Sequence, residues 1–203
     1  MAGELSMKPV TLDWAGLSDA EASLVSRCLA GEEQACTALV ESHQRMVYQL
    51  AFHLLGDKEE ALDLSQDVFL TVFRMLDRFR GQSALRTWIY RIVVNQARNR
   101  QRWWRRRYKS AQVPLDVHVS EHGELPSHDD HCGPERLFSQ KEQADRVWQA
   151  LRELPFDQRT ALVLREIDGL SYEEIGYSLN VAVGTVKSRL ARARQLLRAE
   201  LQP

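Results

Sequence analysis

The segment 171–194, SYEEIGYSLNVAVGTVKSRLARAR, has the pattern of two short helices joined by a tight turn. Ser171 is a good N-cap, and Glu174 stands three positions later, where a capping box requires its reciprocal acceptor. The first helix is predicted to end near 179–180 and the second to begin around 182–184. Apolar residues of the second helix recur at helical spacing, so we predict a buried stripe of Val186, Leu190, Ala193 and Leu197. The segment therefore predicts a helix-turn-helix.

The opposite face of the second predicted helix carries short polar and long basic side chains. Such groups can reach base edges in the major groove of DNA, while neighbouring arginines contact phosphates. The face predicts sequence-directed DNA binding, and a basic face that only contacts solvent is the alternative. The candidate base-contacting residues are Thr185, Lys187, Ser188 and Arg192, flanked by Arg189, Arg194 and Arg198.

The composition indicates a cytoplasmic protein of two small domains. A chain of 203 residues with 44% hydrophobic content can hold one large domain or two small ones. It has no run of about 20 apolar residues such as a membrane span needs, and its start lacks the basic and apolar regions of a secretion signal. The three cysteines, Cys28, Cys36 and Cys132, have no CxxC spacing, so we expect thiols rather than a disulfide framework.

The formal net charge of −1 conceals a segregation of charge along the chain. Every charged residue in 98–109 is positive, whereas 110–135 contains no Lys or Arg and combines acidic residues with Pro and Gly. We interpret this second stretch as part of a flexible acidic linker. The predicted organisation is an N-terminal extension over 1–17, a helical domain over 18–107, the linker over 108–137 and a helix-turn-helix domain over 138–203.

The predicted linker contains possible metal ligands, namely His118, His122, His128, His131 and Cys132. Zinc ligands are usually held in pairs by a turn or a helix, and this stretch offers few means of fixing their geometry. We therefore predict no metal site, and no cofactor. His43 and His53, on a predicted helix, are expected to be packing or surface residues.

Three helices of a bundle are predicted before residue 80, over about 18–31, 33–56 and 58–79. The outer face of the third combines acidic, amide and apolar side chains, which suits docking against basic helices of another protein, with simple solvation as the alternative. This docking face consists of Asp63, Gln66, Asp67, Leu70, Thr71 and Arg74. The predicted buried stripe of the same helix is Ala61, Leu64, Val68, Phe69, Val72, Phe73 and Leu76.

A fourth helix is predicted after a turn at Gly81 and Ser83, and its buried side is expected to contain Leu85, Trp88, Ile89, Ile92 and Val93. Its other side is polar and basic at helical spacing, so its side chains would align along one strand of nucleic acid. These side chains belong to Arg91, Asn95, Arg98, Asn99 and Arg102. Phe79, Trp88 and Tyr90 are candidates for stacking on unpaired bases, although packing is the alternative for Trp88.

The combination of two nucleic-acid surfaces, a docking face and an acidic linker resembles a bacterial sigma factor of the extracytoplasmic-function (ECF) type. The resemblance extends from about Leu17 to Arg198. Residues 63–74, DLSQDVFLTVFR, resemble the family's polymerase-binding helix, and residues 79–99, FRGQSALRTWIYRIVVNQARN, resemble its segment for the promoter −10 element. Residues 153–194 resemble its domain for the −35 element.

This resemblance implies an all-α protein whose two small helical domains bind core RNA polymerase and promoter DNA, open the −10 duplex by capturing a flipped base, and catalyse no reaction. It implies a base pocket in the loop from Arg80 to Leu85, which contains Gly81, Gln82 and Ser83. It assigns tracking of the −10 DNA to Asn95, Arg98 and Asn99. It assigns readout of the −35 element to Lys187, Ser188 and Arg192. An anti-sigma factor is the implied regulator, and stable membrane insertion is not expected.

Two other classes remain open at this point. A conventional transcription regulator with the same C-terminal module explains the segment 171–194 but neither the second basic face nor the docking face. A zinc-dependent nucleic-acid enzyme that uses the histidines of the linker lacks an accompanying buried carboxylate or nucleophile. Promoter-specific transcription by core polymerase with this chain alone distinguishes the three classes.

Overall fold

The computed structural model describes residues 18–110 and 134–202, and the regular structure within these ranges is entirely helical. A 3₁₀ turn, Leu76–Arg78, follows the third helix, and a π-helical turn, Val163–Ile167, follows the sixth. The prediction of an all-α fold is confirmed. The helices are α1 Asp19–Leu29, α2 Glu33–Leu55, α3 Lys58–Met75, α4 Leu85–Ser110, α5 Pro134–Glu153, α6 Phe156–Leu162, α7 Tyr172–Leu179 and α8 Val183–Leu201.

Local signals determine most helix ends in the N-terminal domain. Ser18 caps α1, because its Oγ accepts a hydrogen bond from the backbone N of Glu21 at 3.3 Å while the Glu21 carboxylate accepts one from the Ser18 backbone N at 3.1 Å. Gly56 ends α2 with a φ of 78°, a conformation that side-chain-bearing residues rarely adopt. The third helix ends earlier than predicted, since a 3₁₀ turn replaces its last turn before Phe79.

The apolar core of the N-terminal domain is built mainly by α2, α3 and α4, and it is continuous with buried residues of the C-terminal domain. Of the residues predicted to lie in this core, Phe69 is partly buried and packs against it, whereas Phe73 is 37% exposed. Each follows a buried valine directly in sequence, and one position along a helix turns a side chain by about 100° away from the stripe. The predicted buried side of α4 is confirmed for Leu85, Trp88, Ile89, Ile92 and Val93.

The predicted helix-turn-helix is formed by α7 and α8. Ser171 and Glu174 make the capping box of α7, and Asn180 ends this helix in the left-handed conformation with a φ of 55°. A Cβ at Gly176 would lie 2.9 Å from the carbonyl oxygen of Val181, so only glycine allows this close approach. Of the predicted stripe, Val186, Leu190 and Ala193 are buried and Leu197 is partly buried.

Helical structure extends into both ends of the predicted linker. α4 continues to Ser110 and α5 begins at Pro134, although the linker was predicted over 108–137. The four histidines of the linker, Cys132 and the predicted N-terminal extension lie outside the described residues. Among the helices that the structure describes, none is long and apolar enough to cross a membrane.

The two helical domains are in direct contact. α4 packs against α2 and α3 within its own domain and also against α7 of the C-terminal domain, while α6 contacts α2. The Arg159 guanidinium donates a hydrogen bond from Nη2 to the carbonyl oxygen of Leu54, in the last turn of α2, at 2.9 Å. This packing brings side chains of the two predicted DNA-binding faces close together.

Candidate nucleic-acid and polymerase interfaces

The predicted base-contacting residues of α8 lie on its exposed face. Ser188 donates from Oγ to the carbonyl oxygen of Thr185 at 2.9 Å, and the Nζ of Lys187 lies 5.8 Å from the centroid of the Tyr172 ring. The first turns of this helix therefore present the kinds of group with which a recognition helix contacts base edges. The exposed residues of this face are Thr185, Lys187, Ser188 and Arg192.

Two arginines that were predicted to flank this face have carboxylate partners within the protein. Arg189 is partly buried, and its Nη2 lies 3.0 Å from Oδ2 of Asp157. The Nη2 of Arg194 lies 2.6 Å from Oε1 of Glu166. To give these same nitrogens to DNA phosphates, both arginines would exchange a carboxylate partner for a phosphate.

The polar face of α4 has an exposed part and a part that contacts the C-terminal domain. Arg91 lies over the ring of Tyr177, with its guanidinium carbon 5.4 Å from the ring centroid. The Nη2 of Arg98 lies 2.9 Å from Oδ1 of Asp157. The exposed residues of this face are Asn95, Asn99 and Arg102.

The loop before α4 contains the predicted turn. Gly81 has a φ of 66°, and the side chains of Arg80 and Gln82 on either side of it are exposed. Ser83 is partly buried, and its Oγ lies 3.3 Å from the carbonyl oxygen of Ala84. The loop thus presents polar groups immediately before the first turn of α4.

The three aromatic residues considered for base stacking are buried, so the hypothesis of an exposed stacking surface is wrong. Phe79 and Trp88 pack against each other with ring centroids 5.1 Å apart, which is the alternative that the sequence favoured for Trp88. Tyr90 is fully buried, and its hydroxyl donates to Oδ1 of Asp168 at 2.9 Å. Burial raises the pKa of the Tyr90 hydroxyl and that of the Asp168 carboxyl.

The docking face of α3 borders a groove of about 710 Å³ that α4 closes on its other side. Leu70 is 62% exposed, which is unusual for an apolar side chain in the middle of a helix. Thr71 is partly buried and accepts a hydrogen bond at Oγ1 from Nε2 of Gln96 at 2.7 Å. The other residues of the face, Asp63, Gln66, Asp67 and Arg74, are exposed.

Arg100 holds the acidic side of this groove in place, a role that the sequence analysis missed. Its Nη2 lies 2.9 Å from Oδ2 of Asp67, and its Nη1 lies 2.7 Å from Oε2 of Glu60. The basic run around residue 100 was visible in the sequence, but its acidic partners are 33 and 40 positions away. No helical spacing connects residues at such distances, so only the tertiary structure reveals the pairs.

Histidines of the described residues are packing groups. His53 stacks on Trp148 with ring centroids 4.4 Å apart, and burial lowers the pKa of its imidazole to about 4. His43 lies beside Ser42, with its Nδ1 2.8 Å from the serine Oγ. Within the part of the chain that the structure describes, no group of three or more potential ligands is positioned to hold a metal ion.

The described residues thus form two helical regions, with polar and basic faces on α4 and α8 and an acidic, partly apolar face on α3. The model of the Sigma-70 region 2 family matches residues 39–108, which cover the docking face and most of α4. The model of the family Sigma-70, region 4 matches residues 144–197, which cover the helix-turn-helix.

Curated relatives match nearly the whole chain. The RNA polymerase sigma-H factor of Pseudomonas aeruginosa is 38% identical over 180 residues, which cover 89% of this chain and 93% of the relative. The ECF RNA polymerase sigma-E factor of Escherichia coli K12 is 38% identical over 181 residues, with the same coverage of 89% and 93%. The chain therefore belongs to the sigma-70 family, in its ECF group.

Two solved structures are similar to this fold. The sigma factor RpoE in complex with the anti-sigma factor NepR, from Bartonella quintana, has a TM-score of 0.66 at 25% identity and covers 81% of this chain and 95% of its own. CnrH in complex with the cytosolic domain of CnrY has a TM-score of 0.64 at 26% identity, covering 90% and 97%.

Proposed function

We propose that this chain acts in the cytoplasm as a non-enzymatic sigma factor that brings core RNA polymerase to promoters and helps to open the DNA. The observation that carries this proposal is the match to region 2 and region 4 in one chain, on domains with separate polar and basic faces. A conventional regulator with the same helix-turn-helix would explain neither the region 2 match nor the docking face. The proposal requires no metal or cofactor.

We assign the −35 element to α8. Arg192 is exposed and long enough for a bidentate contact with guanine, whereas Thr185 and Ser188 are short groups suited to close approach. Lys187 and Arg189 complete the basic surface, and both are suited to positioning the helix on the phosphate backbone.

We assign the −10 element to the polar face of α4 and to the loop before it. Extraction of a base from the duplex costs a few kcal/mol. Because the nearby aromatic rings are buried, polar contacts in the loop and along α4 must offset this cost. The residues assigned are Arg80, Gly81, Gln82, Ser83, Arg91, Asn95, Arg98, Asn99 and Arg102.

We assign core polymerase binding to the docking face of α3. Its two aspartates complement a basic partner, and charge complementarity of this kind accelerates association and selects the partner. Leu70 supplies the exposed apolar area that a stable protein interface needs at its centre. The two solved relatives are bound to an anti-sigma factor or to a cytosolic partner domain, and we propose that an anti-sigma factor also regulates this chain.

The test is transcription reconstituted from purified parts. The full chain and core RNA polymerase are incubated with fragmented genomic DNA, and the 5′ ends of the transcripts are mapped, with core polymerase alone as the control. We expect starts at discrete sites that share one sequence near −10 and another near −35. The same transcripts with and without the chain would refute the proposal.

A further inference from the structure

One carboxylate joins the two proposed DNA-binding faces. Asp157 lies in the first turn of α6. Its Oδ1 lies 2.9 Å from Nη2 of Arg98 on α4, and its Oδ2 lies 3.0 Å from Nη2 of Arg189 on α8. The two arginine side chains are only 22% and 20% exposed, so each is largely enclosed where it meets this carboxylate.

Further contacts between the domains extend along the same side of α4. The hydroxyl of Tyr90 donates to Asp168 at 2.9 Å. Thr87 donates from Oγ1 to Glu174 at 3.3 Å, and its carbonyl oxygen accepts a hydrogen bond from Ser178 at 3.3 Å. The bonds to Glu174 and Ser178 join α7 to α4, the helix to which the −10 element is assigned.

A carboxylate and a phosphate offer guanidinium groups the same kind of anionic oxygen pair. Asp157 occupies Nη2 of Arg98 and of Arg189, so a DNA phosphate that pairs with the same end of either guanidinium has to displace the carboxylate, because two anions would otherwise lie side by side. Moreover, bound DNA would have to reach α4 where Arg91 is covered by the Tyr177 ring. The packed arrangement of the domains therefore competes with DNA.

We propose that Asp157 is an autoinhibitory latch, an internal substitute for DNA phosphate that closes the two domains on each other and must release both arginines before promoter DNA binds. The proposal rests on the function assigned above. A chain that is mostly closed binds DNA with an apparent affinity reduced by the fraction that is open. Weakening the latch should therefore raise affinity without any new contact to DNA.

The test compares Asp157→Asn with Glu166→Gln in the full chain. Both variants remove one negative charge from a carboxylate that pairs with an arginine of α8, but Glu166 pairs with Arg194 within the C-terminal domain and makes no bridge to α4. The general gain in attraction to DNA is therefore matched. Asparagine retains the size of aspartate and is well tolerated near a helix N-terminus, so α6 should remain folded.

Two quantities are measured on each variant. The first is the radius of gyration, from small-angle X-ray scattering. The second is the dissociation constant for a synthetic promoter duplex that carries the mapped −10 and −35 sequences. Since partly exposed ion pairs contribute modestly, we expect Asp157→Asn to have a larger radius and to bind about two- to tenfold more tightly than Glu166→Gln. Equal values for the two variants in either measurement would overturn the latch. Reconstituted transcription by the wild-type chain tests the sigma function separately, because the radius of gyration requires neither DNA nor polymerase.

Discussion

At the scale of single residues, the partner of an arginine decides what the side chain can do. Arg159 is 7% exposed, and its guanidinium donates to the carbonyl oxygens of Arg152 and Leu54, both at 2.9 Å. Burial lowers the pKa of this guanidinium to about 10, so it stays charged at neutral pH. Its charge lies at the C-terminal end of α2, where the helix dipole favours a cation. Arg159 is therefore a structural residue, whereas exposed Arg192 is available to DNA.

Replacing Arg192 by alanine should reduce discrimination among −35 sequences. If its guanidinium contacts a base, the loss should cost about 1–3 kcal/mol on the matched site and little on a site already mutated at that base. Binding titrations on matched and mutated sites at several salt concentrations measure this. Arg198→Ala, another exposed arginine further along α8, serves as the control and should weaken all sequences about equally. Unchanged affinity of Arg192→Ala on every site would contradict the assignment.

At the scale of elements, α3 shows how one helix presents two different faces. Its buried stripe packs in the core of the N-terminal domain, while the docking face points away from that core. Helical spacing separates the two sets of side chains, so a change on the outer face need not disturb the packing. The exposed Phe73 and Leu70 lie outside the stripe and enlarge the apolar area available to a partner.

Reversal of one charge on the docking face should prevent assembly with core polymerase. Asp67→Arg places a positive charge where a basic partner is expected, at a cost of several kcal/mol. Asp67 also pairs with Arg100. Asp63→Arg, on the same face, therefore provides a second variant, for which the described residues show no such ion pair. Co-migration with core polymerase measures binding, and circular dichroism verifies folding.

Asp77→Arg, in the 3₁₀ turn outside the docking face, is the matched control and should assemble normally. Binding of the −35 element should be unaffected in all three variants, since the residues assigned to it lie on α8. Normal binding by both folded variants of the docking face would remove this face from the polymerase interface.

At the scale of the whole molecule, we expect a contact between the domains to make stability depend on pH. His53 of α2 stacks on Trp148 of α5, and burial lowers the pKa of its imidazole to about 4 from the ordinary value of 6.5. Between pH 6.5 and pH 4 the imidazole of His53 is mostly protonated in the unfolded chain but mostly neutral in the folded chain. The free energy of unfolding is therefore undiminished by this effect above pH 6.5, and it falls progressively as the pH falls towards 4.

His53→Phe should remove this part of the pH dependence, because phenylalanine retains an aromatic ring against Trp148 but cannot titrate. Between pH 6.5 and pH 4 the free energy of unfolding of the wild-type chain should fall by up to about 3 kcal/mol more than that of the variant. Urea denaturation across this range measures the difference. Parallel pH profiles for the two proteins would show that His53 is not responsible.

The sequence alone was sufficient for features that depend on residues close together along the chain. The capping boxes at Ser18 and Ser171 and the end of α2 at Gly56 were predictable, because a cap and its acceptor are at most a turn apart. The exposed face of α8 followed from helical spacing, as did the family resemblance from contiguous motifs. The same spacing predicted Phe73 in the core, but this residue is exposed, because it lies one position beyond the buried Val72.

Only the tertiary structure decided which side chains of the two proposed DNA-binding faces are covered. Arg98 and Asp157 are 59 positions apart, and Tyr90 and Asp168 are 78 apart. A helical pattern repeats within one element and carries no information about the element that packs against it. The sequence therefore determined which residues each helix presents, while the packing of α4 against α7 and of Asp157 between two arginines determined which of them meet protein rather than solvent.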